Sequence, residues 1–189
     1  MRPITPIECN TNLRLLPAGP SHLSDIIKAM DESGAEIYQA MPWLELDEPI
    51  PSQVAEYLQD VQRYGAGGLS YHWAVEFSGR LAGLIALDYT PKLIEGHWNL
   101  GYWVRPRYQR KGIASQSIDA VLDWIGRGGV TSVEIGVNPT NHAGVRTAES
   151  TVQRWNGHAL DAKIEVEVAG QLVMHDCWII PRLPLRDSQ

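Results

Sequence analysis

Apolar and polar positions follow two different periods along this chain, and the switches between them mark its elements. Over residues 98–104, Trp98, Leu100, Tyr102 and Val104 fall on one side of a two-residue repeat and Trp103 on the other, which predicts a strand. Pro106 stops that strand. After a short basic turn, Ile113, Ala114, Ser117, Ile118, Val121, Leu122 and Ile125 recur at helical spacing. The helix they predict runs to about Gly126, where Gly128-Gly129 gives a stop. The same signals divide the rest of the chain. Residues 12–16 read as a first strand, ended by Pro17 and Gly19. Ser21 is placed to cap a helix with Leu23, Ile26, Ile27 and Met30 inward. Ser52 is placed to cap another, with Val54, Tyr57, Leu58, Val61 and Tyr64 on one face. Residues 71–77 and 81–88 read as strands joined across Ser78-Gly79-Arg80, and residues 91–96 as a loop. Residues 131–137 predict a strand, followed by a helix capped by Asn141. That helix turns Val145, Ala148, Val152 and Trp155 inward and ends at Asn156-Gly157. A last hairpin joins residues 163–168 and 171–180 across Ala169-Gly170. Helices after parallel-type strands, with antiparallel hairpins at both ends, imply a mixed α/β sheet in one domain, residues 1–189.

Composition changes the picture in a few places. At 189 residues, 44% apolar and 20% charged, the chain can build one sizeable core. A net charge of −6 argues against nucleic acid as the main partner. No stretch has the length of a membrane span or the pattern of a signal peptide, so the expected location is cytoplasmic. Cys9 and Cys177 are far apart and lack metal-ligand spacing; two reduced thiols and no metal site are expected. Seven Trp against one Phe supply large rings for clefts as well as for the core. Against the acidic background, Arg105, Arg107, Arg110 and Lys111 stand out. They flank a helix N-terminus, whose free N–H groups and partial positive charge suit a phosphate, and Gly112 lets the backbone come close.

The order Gln109-Arg110-Lys111-Gly112-Ile113-Ala114 resembles the acyl-CoA pyrophosphate loop of the GNAT acetyltransferase superfamily, Gln/Arg-x-x-Gly-x-Gly/Ala. The preceding Gly101-Tyr102-Trp103-Val104-Arg105-Pro106 resembles the RimJ/RimL-like branch, which acetylates protein N-termini and other amines. The resemblance covers about residues 12–180. It implies a GNAT fold: a mixed, mostly antiparallel twisted sheet flanked by helices, with a parallel strand pair that splays near Val104 and Val137. It also implies acetyl-CoA as cofactor, held by Trp103, Val104, Gln109, Arg110, Lys111, Gly112, Ile113 and Ala114, with Asn138 and Asn141 beside the pantetheine arm. Trp43 and Glu45, in the acidic stretch after Met41-Pro42, are the expected wall of an acceptor pocket and favour a cationic acceptor. Similar proteins are commonly dimers.

Two positions depart from that pattern. The strand residue two before Gly101-Tyr102 is often Glu in such chains, serving as general base; here it is Asn99, which cannot. Gly144 stands where a Ser often holds the leaving thiolate. Glu95, His97 and Asp88 are the nearby alternatives for a base, and His97 has a suitable intrinsic pKa. Tyr102 and Tyr108 are the hydroxyls able to protonate sulfur. The catalytic candidates are therefore His97, the Asn99 position and Tyr102. The expected activity is transfer of acetyl to a primary amine, on a protein N-terminus or a small molecule, by direct attack in a ternary complex. The alternative is a non-catalytic acyl-CoA-binding module of the same fold. Gly-x-x-x-x-Gly-Lys-Ser/Thr is absent, which weakens a nucleotide-binding reading.

Overall fold

The structure is a computed structural model describing residues 4–90 and 93–184. Its strands are β1 (Ile7–Glu8), β2 (Leu13–Pro17), β3 (Ser70–Phe77), β4 (Arg80–Asp88), β5 (Trp98–Val104), β6 (Thr131–Val137), β7 (His158–Val168) and β8 (Gln171–Leu183). They form one sheet in the order β1-β2-β3-β4-β5-β6-β8-β7. Its helices are α1 (Leu23–Ser33), α2 (Ile37–Ala40), α3 (Ile50–Ala66), α4 (Ile113–Gly126) and α5 (His142–Arg154).

Strand alternation divides the apolar side chains between two layers. Leu100 of β5 joins Ile113, Ile118, Val121 and Leu122 of α4 and Ala148 and Val152 of α5 in one. Trp103, on the opposite face of β5, joins Ile26 and Met30 of α1 and Val54 and Leu58 of α3 in the other. The single strand on which the sequence pattern rests thus touches both cores.

Of the neighbouring pairs, only β5–β6 is parallel, and its register consists of Trp98↔Val133 and Asn99↔Glu134. Beyond Asn99 the two strands part. β5 stays on β4 as far as Gly83↔Val104, and β6 stays on β8 as far as Val137↔Asp176. A gap therefore opens in mid-sheet between residues 100–104 and 135–137.

Several local expectations change. Neither Ser21 nor Ser52 caps a helix. Pro20 opens a short 3-10 turn behind Gly19, and α3 starts behind Pro49 with Pro51 in its first turn, so proline, with its fixed φ, sets both starts. Tyr64 is exposed rather than part of the buried face of α3. The pattern that breaks up after residue 31 contains the end of α1 and the short α2, with Met41 and Leu44 plugging the core. β1 is only two residues long and has no periodic pattern, and β7 begins at His158, five residues before the expected start, because its burial pattern is mostly exposed. Of the 91–96 loop, residues 91 and 92 lie outside the described residues. Cys9 and Cys177 are free thiols.

Candidate active site

The turn between β5 and α4 is built for an anion. Gln109 is extended, Arg110 has φ 59° and Gly112 has φ 72°, so the main chain curls through two left-handed positions into the N-cap of α4. Only glycine takes the second of these without strain. Among the described residues, the backbone N–H groups of residues 110–114 have no partner. They converge at the positive end of a fourteen-residue helix. Gln109 is held in place by its own side chain, whose Nε2 donates to the Val104 carbonyl at 3.0 Å. Ile113 is buried in the core beneath the turn.

The basic residues around this turn divide into two sets. Arg105 is 6% exposed; its guanidinium donates to both carboxylate oxygens of Glu32 on α1 and, at 3.0 Å, to the Leu81 carbonyl. Arg107 reaches the same Glu32 at 2.8 Å. The Arg105 hydrogen bond holds the Glu32 carboxyl below the usual carboxylate range, against partial desolvation. These two arginines clamp α1 to the turn and are spent on Glu32, contrary to the expectation that all four basic residues serve a phosphate. Lys111 lies over the Tyr108 and Phe77 rings at 5.3 and 5.9 Å. Arg110 is exposed and, among the described residues, forms no ion pair.

Inside the gap, β5 turns alternate peptide groups toward β6. Arg105 N–H donates to Ala82 of β4, so alternation directs the N–H groups of Val104 and Tyr102 away from β4, into the opening. Trp103 carries its indole into the α1–α3 core and meets the gap only along its main chain. On the α5 side, the Tyr102 hydroxyl donates to the Gly144 carbonyl at 3.3 Å. Burial pushes the Tyr102 phenol up to about 12, a hydrogen bond with Thr147 acting the other way. Gly144 is required by packing: a Cβ there would lie 2.8 Å from Val137 Cγ1 and 2.8 Å from Asn141 Nδ2. Asn141 caps α5, accepting from Gly144 N–H at 2.9 Å, as its position predicts. Asn138 is buried, donates to Gln39 of α2 at 3.2 Å and accepts from Thr140 N–H and hydroxyl. Trp155 packs on the core and donates to Asp119 at 2.7 Å.

The remaining candidates lie on or near the other face. His97 precedes β5 and is bound to Ser132, its main-chain N–H donating to Oγ at 3.0 Å and Nδ1 lying 2.9 Å from it. Seven residue steps along the strand separate it from Val104, roughly 23 Å, so it sits at the closed end of the parallel pair. Glu134 is fully buried and accepts N–H bonds from Ile94, Glu95 and Gly96. Asn99 is half-buried, flanked in register by Asp88 on β4 and Glu134 on β6. Trp43 stacks on Tyr57, with ring centroids 4.6 Å apart and planes 5° from parallel. Glu45 is exposed, its main chain clasped by Gln53 through bonds of 2.7 and 3.0 Å. Sequence reasoning missed Glu32 as the partner of Arg105, and it missed a chain of bonds from Tyr57 through His72 to Asp88. Those three residues lie on three elements, and no local pattern joins them.

A sheet opened at one parallel pair, with a helix N-terminus at the mouth of the opening, makes a cleft for a narrow ligand that ends in phosphate. The chain belongs to the acetyltransferase (GNAT) domain family, whose model matches residues 12–151. No curated protein sequence matches it. Among solved structures, RimL, the ribosomal L7/L12 alpha-N-protein acetyltransferase in complex with coenzyme A, superposes with a TM-score of 0.76 at 18% identity, covering 93% of this chain and 97% of that one. The Salmonella typhimurium acetyl transferase that modifies the N-terminal serine of 50S ribosomal subunit protein L7/L12 gives 0.74 at 18% identity, covering 93% and 96%. The microcin C7 self-immunity acetyltransferase MccE, in complex with acetyl-CoA and AMP, gives 0.71 at 13% identity, covering 90% and 93%. These likenesses establish the GNAT fold of the sheet and its helices.

Proposed function

We propose that this chain is an acetyl-CoA-dependent N-acetyltransferase acting on a primary amine, either a protein N-terminal amine or a small-molecule amine, in the cytoplasm. The observation that carries this reading is the β5–β6 gap continuing into the unpartnered N–H groups of residues 110–114. The residues present fit the carrier. Position 112 sits at φ 72°, a curl that a residue with a Cβ adopts only under strain, Arg110 is free to meet a phosphate, and the gap admits a narrow arm beside Val104. Acetyl-CoA supplies, when bound, an acyl thioester whose carbonyl carbon is the electrophile.

The chain's own residues do the rest. N–H groups of Val104 and Tyr102 face the opening and are placed to steady negative charge on a carbonyl oxygen. Holding two reactants in one cleft contributes several kcal/mol by itself. Tyr102 keeps its proton at neutral pH and stands beside Gly144, so its phenol takes the part of proton donor to sulfur that the missing hydroxyl at 144 leaves vacant. Trp43 and Glu45 line the way in for the acceptor. Asn138 and Asn141 shape the wall facing the carrier. His97 is not assigned a role, because of its place at the far end of the strand.

Thiol release from acetyl-CoA in the presence of a panel of amines and N-terminal peptides tests the proposal. Amine-dependent release is expected. Tight coenzyme A binding with no release on any amine would select the non-catalytic alternative.

A further inference from the structure

The face of the sheet that carries Trp103 is not covered everywhere. A Cβ added at Gly101, in the middle of central strand β5, would meet nothing within 4 Å. Around this opening the register sets Ala86 beside Gly101 and Asp88 beside Asn99, all half-buried. The floor of the cleft is therefore small or polar where a sheet centre is ordinarily apolar. Asp88 and Glu134 flank Asn99 in register, and Glu95 lies on the loop before β5. Glu134 is consumed by three main-chain donors, and Glu95 lies on the loop that supplies one of them. Asp88 is different. Its Oδ1 is 2.7 Å from His72 Nε2, and its Oδ2 has no partner among the described residues; the side chain is 36% exposed.

His72 is held from behind: its Nδ1 lies 2.7 Å from the Tyr57 hydroxyl. A carboxylate only accepts, so Nε2–H donates to Asp88, and in the neutral ring Nδ1 accepts from Tyr57. Burial, with the Asp88 charge adding to it, pushes the Tyr57 phenol far up, so it remains a donor. Trp43 is stacked flat on the Tyr57 ring and fixes it. Each link has few alternatives, and the chain ends in one carboxylate oxygen facing an open cleft beside the β5–β6 gap.

We propose that Asp88 is the seat of the acceptor's ammonium group, receiving an N–H on Oδ2, and that His72 and Tyr57 are positioning residues that aim it. This rests on the reading of the chain as an amine acetyltransferase and adds to it the substrate class: acceptors that arrive as a protonated primary amine and give up one proton to solvent before nitrogen attacks. Such an arrangement returns a carboxylate to the cleft one strand away from Asn99. Cations lacking an N–H gain only long-range attraction from it.

The test uses the full chain saturated with coenzyme A, at pH 7 and fixed ionic strength, with n-butylammonium as probe and tetramethylammonium as control. The expected result is a saturable movement of the His72 ring resonances with n-butylammonium and none with tetramethylammonium. In Asp88→Asn the apparent affinity for the probe should fall at least tenfold. Tyr57→Phe should lower the unfolding midpoint by a few degrees while the chain still folds, move the His72 ring-nitrogen shifts, and weaken the probe severalfold. Equal responses to the two cations, or an unchanged titration in Asp88→Asn, would overturn the proposal. Calorimetry of coenzyme A on the parent protein separates the two readings: a failed probe titration with intact coenzyme A binding overturns only the Asp88 assignment.

Discussion

Single residues carry the sharpest consequences. Gly112 sits at φ 72°, where a β-branched side chain costs about 1–2 kcal/mol and pulls the backbone out of its curl. Gly112→Val is expected to weaken coenzyme A about 100-fold, roughly the loss of one or two charge-assisted hydrogen bonds; calorimetry reads this, and unchanged affinity would remove the turn from the binding site. Tyr102→Phe should lower kcat by about 10²-fold or more while leaving coenzyme A affinity in place. The same phenol makes a pH signature. It ionises near 10.0 in the unfolded chain and near 12 when folded, so its stabilising effect is whole below pH 10 and is lost as pH rises toward 12. Denaturant unfolding across pH 9–12 should show a shallower decline in Tyr102→Phe than in the parent.

At the level of elements, the helix α5 meets β6 through Gly144, and the contact leaves no space for a hydroxymethyl group. Gly144→Ser, which restores the residue common in similar chains, should destabilise the fold by about 1–3 kcal/mol through overpacking against Val137 and Asn141. A faster and equally stable variant would contradict this account of the departure. The clamp of α1 onto the β5–α4 turn through Glu32 has a related consequence. Glu32→Gln should lower the unfolding midpoint, since Arg105 stays buried with a weaker partner. In the parent protein this contribution is present above the ordinary carboxylate range and is lost as pH falls through the depressed pKa of Glu32.

These elements also show what could be read from the chain. The alternation at residues 98–104 and the stripe from Ile113 to Ile125 are local signals, and β5 and α4 form where they lie. The cap at Asn141 was equally legible, because its bond partner is three residues away. The partnership of Arg105 with Glu32 spans seventy-three residues, and that of His72 with Asp88 depends on strand register. Charge alone does not distinguish an arginine that meets phosphate from one that anchors a helix. β7 escaped in part because an edge strand with little burial carries a weak periodic signal.

On the scale of the whole molecule, one sheet serves both as framework and as cleft. Two apolar layers pin its faces, one under α4 and α5 and one under α1 and α3, while the strands between them part only at β5–β6. Filling that opening ties the two halves of the sheet together, so a bound carrier should raise stability by mass action. At a hundredfold excess over Kd the gain is about 2.7 kcal/mol, or roughly 5–10 °C in Tm for a chain of this size. A thermal scan with and without coenzyme A reads it, and an unmoved midpoint would mean that coenzyme A does not bind the folded chain.

The central claim concerns where the carrier lies, and a crystal structure of the protein with coenzyme A tests it most directly. The diphosphate should sit within hydrogen-bonding distance of main-chain N–H groups of residues 110–114, with the pantetheine arm between residues 100–104 and 135–137. Coenzyme A found elsewhere on the surface, with the β5–β6 opening untouched, would contradict it.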